Sequence, residues 1–219
     1  DLPFLFPSPY SLIPKMTRII AITGGSGAGK STLARALAWR LNAPVIAEDD
    51  YYRCRTSYLR FDAATHNFDA PDAKEHDLLC EHLSLARAGV AFEKPLYDLS
   101  THRRLETTQR VDPGASMIVE GLHLLATPAL RALFDLKVFI DADEALRLER
   151  RMLRDIELRD RSAQSVLAQF FENVRPMHEL HVEPQRNFAD LVLLSPPDAS
   201  KARVEADSER IARLLTALA

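Results

Sequence analysis

Arg18-Ile19-Ile20-Ala21-Ile22-Thr23 runs directly into Gly24-Gly25-Ser26-Gly27-Ala28-Gly29-Lys30-Ser31-Thr32, and a helical pattern continues from Lys30 to Leu41. A short β-branched strand, a glycine-rich turn and a helix follow one another, and the turn fits G-x-x-x-x-G-K-[S/T] in the context that pattern needs. Glycines at such a turn let backbone N–H groups point inward at phosphate oxygens, and the helix N-terminus adds partial positive charge. In such a cradle Lys30 reaches the β- and γ-phosphates and the Ser31 hydroxyl can ligate Mg²⁺. The flanking strand and helix separate this pattern from a glycine-rich turn with no ligand.

Further short apolar runs follow. Val45 to Ala47 leads into Asp49 and Asp50, Met117 to Val119 ends at Glu120-Gly121, Val138 to Ile140 ends at Asp141, and Leu191 to Leu194 makes a fifth. Short apolar strands alternating with helical segments predict an α/β fold. The sheet is parallel, of the P-loop type, with helices on both faces and ligands outside the carboxyl ends of its strands. The acidic strand ends then converge on one rim. Pro71 to Ala88 reads as a helix with Pro71 in its first turn and Gly89 just past its end. Residues 90–111 lose helical periodicity and alternate like an inserted β-hairpin, a candidate lid over a substrate. Glu144 to Arg161, Ala163 to His178 and Ala199 to Leu218 read as helices.

The 219 residues suit one α/β domain, expected over 16–219, and are short for two. Residues 1–15, broken by Pro3, Pro7, Pro9 and Pro14, read as a loose arm ahead of Met16 that need not be native. A net charge of −3 argues against a nucleic-acid partner. No apolar run reaches the length of a membrane span, and Cys54 and Cys80 have neither metal-ligand spacing nor a secretory signal, so the expected setting is a reducing cytoplasm. Histidines 66, 76, 82, 102, 123, 178 and 181 form no zinc pattern and read mostly as surface residues. His102 differs by its company in the hairpin, with Tyr97 and Asp98.

Phosphoryl transfer needs a group that orients the attacking hydroxyl and oxygen ligands for Mg²⁺, and Asp49 and Glu120 on the rim can supply both. The same two acids can equally serve as a helix cap and a turn residue. Arg147, Arg151 and Arg154 share one helix face, with Arg159 and Arg161 beyond. That face can neutralise charge on a transferred phosphoryl group, or it can be a solvated face laced with ion pairs such as Arg151 with Asp155.

With these motifs placed, the chain resembles the uridine-cytidine kinase and phosphoribulokinase group of P-loop kinases from about Arg18 to Leu194. The likeness rests on Glu48-Asp49-Asp50-Tyr51-Tyr52, Asn67-Phe68-Asp69-Ala70-Pro71-Asp72-Ala73, Pro95-Leu96-Tyr97-Asp98-Leu99-Ser100-Thr101-His102, Val119-Glu120-Gly121, Arg154-Asp155 and Val182-Glu183-Pro184. The resemblance implies transfer of the γ-phosphate of ATP, or GTP, with Mg²⁺ to the 5′-hydroxyl of uridine or cytidine. It also implies an assembly of identical subunits. By the same resemblance Asp49 is the catalytic aspartate close to Mg²⁺, Glu120 a metal carboxylate, and Asp69 the group that grips the ribose. Tyr97 and His102 face the pyrimidine edge, Gln169 lines the nucleoside pocket, and Arg151, Arg154, Arg159 and Arg161 belong to a phosphate lid near 151–162.

Three departures bear on specificity. Leu99 stands where the group usually has phenylalanine, which removes aromatic stacking. Arg159-Asp160-Arg161 replaces Arg-Gly-Arg, adding a negative charge and removing a glycine's freedom. Ser195-Pro196-Pro197-Asp198 replaces a glycine-containing loop near the donor base. Rival readings are a kinase of the same superfamily for a sugar phosphate, pantothenate or nicotinamide riboside, and a nucleotide-binding regulator without turnover.

Overall fold

The computed structural model describes residues 16–63, 66–197 and 200–217. Strand β1 (Arg18–Gly24) is its centre, pairing in parallel with β5 (Ser116–Gly121) on one side and β6 (Leu136–Asp141) on the other. The short β2 (Val45–Ala47) flanks β5 and β7 (Leu191–Leu194) flanks β6, giving the order β2-β5-β1-β6-β7. Alternate side chains of a strand point to opposite faces. Ile19 and Ala21 of β1 therefore join Met117, Val119, Leu79 and Leu83 in one apolar layer, while Ile20 and Ile22 join Ile118, Val138, Leu33 and Leu37 in the other. Both faces are covered, which is why the strands read as unbroken apolar runs rather than alternating ones.

Helices α1 (Lys30–Leu41) and α7 (Lys201–Ala217) cover the second layer, and α2 (His76–Arg87) covers the first. The helix expected over residues 71–88 is corrected. Pro71–Ala73 forms a single 3-10 turn, Lys74 is extended at φ −117° and ψ 151°, and α2 begins only at His76. Helix propensity yields here to a tertiary demand: the extended backbone carries the Lys74 side chain inward, where it is buried and ion-paired.

The predicted hairpin is present as β3 (Phe92–Asp98) and β4 (Arg103–Val111), a separate antiparallel ribbon. After a single turn, α3 (Pro128–Arg131), helix α4 (Glu144–Arg159) stops two residues short of Arg161, at Asp160, whose φ of 50° is left-handed. Helix α5 (Ala163–Gln169) does not end near His178. It continues through a π turn, α6 (Arg175–Met177) and a second π turn into a 3-10 segment that closes at Phe188. The arm at residues 1–15, and the expected roles of Asp198, Ala199 and Leu218, lie outside the described residues. Among those residues no helix is long and apolar enough to cross a membrane.

Candidate active site

Strands β2, β5 and β1 are neighbours, so their carboxyl ends bring Asp49, Glu120 and the Gly24–Thr32 turn to one rim. Ser31 Oγ donates a hydrogen bond of 2.8 Å to Glu120 Oε1, and Lys30 Nζ donates one of 3.0 Å to the Gly25 carbonyl. Burial pushes the Lys30 ammonium below its ordinary value, against the pull of Glu120 and Asp49. Burial likewise raises the Glu120 carboxyl against the pull of Lys30. The turn packs on the first coils of α4. Gly27 has φ +81°, and a Cβ there would lie 2.4 Å from the Arg147 carbonyl oxygen, so the turn tolerates no side chain at that point.

Asp49 is held from behind by Lys74, whose Nζ lies 2.9 Å from Asp49 Oδ1 and 2.9 Å from Glu48 Oε2. Burial would raise the Asp49 carboxyl, but the charge and hydrogen bond of Lys74 outweigh it and hold the group below its ordinary value. Glu48 is fully buried and also accepts from the backbone N–H groups of Leu122 and His123, with His76 Nε2 at 2.7 Å. A Cβ at Gly121 would lie 2.4 Å from Glu48 Oε2. The sequence reading missed Glu48, Lys74, His76 and His123. The acid directly before Asp49 was the one local signal of such a cluster.

Helix α4 carries the basic face, and on that face the solvated alternative is corrected: Arg147, Arg151 and Asp155 are buried. Arg151 donates to Ser26 Oγ at 2.9 Å and to Gln169 Oε1 at 2.8 Å, and its Nη1 lies 4.0 Å from Asp69 Oδ1. Arg161 also donates to Gln169 Oε1. The expected Arg151–Asp155 pair exists at 3.5 Å, but the Asp155 carboxylate is shared with Arg154 at 2.8 Å, Arg159 at 3.4 Å and Arg161 at 3.7 Å. Four arginines on one acid keep it charged despite burial, and its carboxyl lies below the ordinary value.

On the far side of the turn, Ala28, Gly29 and Thr32 line a cavity of about 210 Å³ with Leu193, Arg150 and Pro196. Arg150 donates to Ser195 Oγ at 2.8 Å and to the Pro196 carbonyl at 3.0 Å, which fixes the start of the loop after β7.

Asp69 is buried, and its backbone carbonyl accepts from His123 Nε2 at 2.9 Å. Burial raises its carboxyl against the pull of Arg151. Tyr97 packs on Tyr52 with ring centroids 5.2 Å apart, and His102 stacks on Phe68 at 4.6 Å. Tyr97 Oη and His102 Nδ1 are buried with no hydrogen-bond partner among the described residues. Of the histidines expected mostly at the surface, five keep part of their surface exposed, whereas His82 and His123 are buried, which corrects the expectation for those two. Burial pushes His123 down to about 4, and burial with the nearby Arg147 charge does the same for His178.

The structure thus brings Lys30, Ser31, Asp49 and Glu120 into one group and Ser26, Asp69, Arg151, Arg161 and Gln169 into a second. Tyr97 and His102 stand in an aromatic nest with Tyr52, Phe61 and Phe68. The donor set of Ser31, Asp49 and Glu120 is all oxygen, which fits Mg²⁺ and does not fit a soft metal. Among the described residues no three His, Cys, Asp or Glu side chains are grouped so as to hold a metal ion by themselves.

Fold and site together define a P-loop phosphotransferase. A sequence model of the Phosphoribulokinase / Uridine kinase family matches residues 19–201, and a uridine kinase of Clostridium perfringens is 38% identical over 191 residues, 86% of this chain and 90% of that protein. The chain belongs to the phosphoribulokinase and uridine kinase family. Among solved structures, a provisionally assigned fructose transport system kinase from Silicibacter sp. superimposes with a TM-score of 0.68 at 21% identity, over 85% of this chain and 93% of its own. Phosphoribulokinase from Rhodobacter spheroides does so with a TM-score of 0.56 at 16% identity, over 85% and 75%. At those identities the likeness concerns the fold.

Proposed function

We propose that the chain transfers the γ-phosphate of ATP to the 5′-hydroxyl of uridine or cytidine, giving UMP or CMP. The observation that carries this reading is the placement of Asp49 on the same rim as the Lys30–Ser31–Glu120 group, near enough to the buried Asp69–Arg151–Gln169 cluster for its charge to act on Asp69. The 5′-oxygen attacks the γ-phosphorus, the bond from that phosphorus to the bridging oxygen breaks, and ADP leaves with the electron pair. Asp49 orients the hydroxyl and accepts its proton as the new bond forms. Mg²⁺, held by Ser31 with Asp49 and Glu120, would draw charge off the β- and γ-phosphate oxygens.

Lys30 and the backbone of Gly24–Thr32 hold the β- and γ-phosphates, and Arg154, Arg159 and Arg161 meet charge on the transferred group. Asp69 and Arg151 bind the ribose. The unpartnered Tyr97 Oη and His102 Nδ1 are the polar atoms available to read a pyrimidine edge, because buried polar atoms seek partners. The relatives' name supports the same acceptor. The reading extends to cytoplasmic pyrimidine salvage by an assembly of identical subunits.

A coupled assay across nucleosides, sugar phosphates, pantothenate and nicotinamide riboside tests the acceptor, with uridine or cytidine expected to give the highest kcat/KM. Asp49→Asn should lower kcat by roughly 10² to 10⁴ while uridine binding by calorimetry changes little. Retained turnover in that variant would falsify the role given to Asp49.

A further inference from the structure

The helix that sequence predicts over residues 71–88 breaks at Lys74, and the break puts a lysine where it is wholly enclosed. Its ammonium has two carboxylates at 2.9 Å, Glu48 and Asp49, and lies 4.8 Å from the centre of the Tyr52 ring. Neither Lys74 nor Glu48 exposes any side-chain surface, whereas Asp49 is 48% exposed toward the rim. Lys74 therefore cannot touch an acceptor or a nucleotide. Through Asp49 it touches a residue that can.

Burying a lysine is costly unless its charge is met, and one carboxylate would meet it. Glu48 alone could have done so, since the Lys74–Glu48 pair is complete and Glu48 is pinned further by His76 and two backbone N–H groups. The second contact, to Asp49, shares the ammonium's charge with a carboxylate that is half exposed at the rim. It also acts on Asp49: with Oδ1 tied to an enclosed ammonium, rotation of that carboxylate is restrained. The aromatic shelf of Tyr52 is fixed in turn, because its hydroxyl donates to the Phe68 carbonyl at 3.1 Å. Glu48 also reaches the acceptor side, since His123, whose N–H it accepts, holds the Asp69 carbonyl through Nε2.

We infer that Lys74 is a positioning residue for phosphoryl transfer, anchored by Glu48, that fixes the orientation of the Asp49 carboxylate toward the acceptor hydroxyl. The inference rests on the catalytic place proposed for Asp49 and is independent of which hydroxyl is the acceptor. Small misplacement of a reacting group costs rate rather than binding.

The test compares Glu48→Gln with Glu48→Gln/Lys74→Met, so that no buried charge is left unpaired when the lysine goes. The double variant should lose a further 10- to 100-fold or so in kcat, with acceptor KM shifted by less than about threefold. In an Asp49→Asn background, where Lys74 keeps Glu48, adding Glu48→Gln/Lys74→Met should cost no further kcat, because no carboxylate then remains to aim. Lys74→Gln on the same Glu48→Gln background carries the comparison if the methionine variant fails to fold.

A lower melting temperature with kcat unchanged overturns the inference, as does an equal kcat loss with and without Asp49→Asn. Transfer to some hydroxyl other than a nucleoside's overturns the acceptor proposed above and leaves this inference standing. An unmodified chain that transfers phosphate to no acceptor overturns both.

Discussion

The phosphate cradle and the basic helix α4 both present positive charge to the same rim, yet they are built in opposite ways. The cradle is one uninterrupted stretch whose working groups are chiefly backbone N–H atoms and whose shape is set by glycines. The basic face is made of side chains from α4, its C-terminal extension and α5, held by Asp155 and Gln169. A site of the first kind needs only local geometry. One of the second kind exists only once distant segments have packed, and its arginines have protein partners whether or not a phosphate is near.

That difference can be broken experimentally. If Arg154 and Arg161 meet charge on the transferred phosphoryl group, Arg154→Ala or Arg161→Ala should cut kcat by about 10³ to 10⁵ with little change in nucleotide affinity, the range seen for arginines in that job. If they serve only Asp155, the same variants should lower the melting temperature and leave kcat near normal. Steady-state kinetics beside thermal melts separate the two.

A smaller effect distinguishes the interior beneath the cradle from both. His123 is neutral in the fold with its value at about 4 against an ordinary 6.5, chiefly through burial, and it faces Glu48, Lys74 and His76. The unfolded chain therefore binds the extra proton first, so stability is full above about pH 6.5 and falls as the pH drops toward 4, by up to about 3 kcal/mol from this group. Denaturant melts at pH 7.5 and pH 5 should show the loss, and His123→Gln should flatten it. An unchanged slope in that variant assigns the pH dependence to other groups, His178 first among them.

The smallest expected change concerns the hairpin. Leu99 is 42% exposed at its tip, and Leu99→Phe should lower uridine KM by roughly 2- to 10-fold, the worth of one aromatic contact. No change would mean that the base does not reach residue 99.

These contrasts also explain what could be read in the sequence. The five strands, the cradle and the hairpin are local patterns, and Asp49 and Glu120 are placed by the strand ends they follow. Asp69, Arg151 and Gln169 came through family resemblance, since nothing in their spacing shows that they meet. Lys74 was illegible for a physical reason: within Pro71 to Ala88 it looks like any solvated helix lysine, and only the position of Glu48 and Asp49 in space draws it inward. The arginine face was open to two readings because ion pairs at i, i+4 spacing look alike whether wet or buried.

The contact between Gly121 and Glu48 ties two positions into one mutational unit. Any side chain at 121 must displace an acid held by four other partners, so even alanine is closed to this position while Glu48 remains, and losing Glu48 leaves Lys74 with Asp49 alone. Directed evolution that randomises residue 121 alone should return glycine.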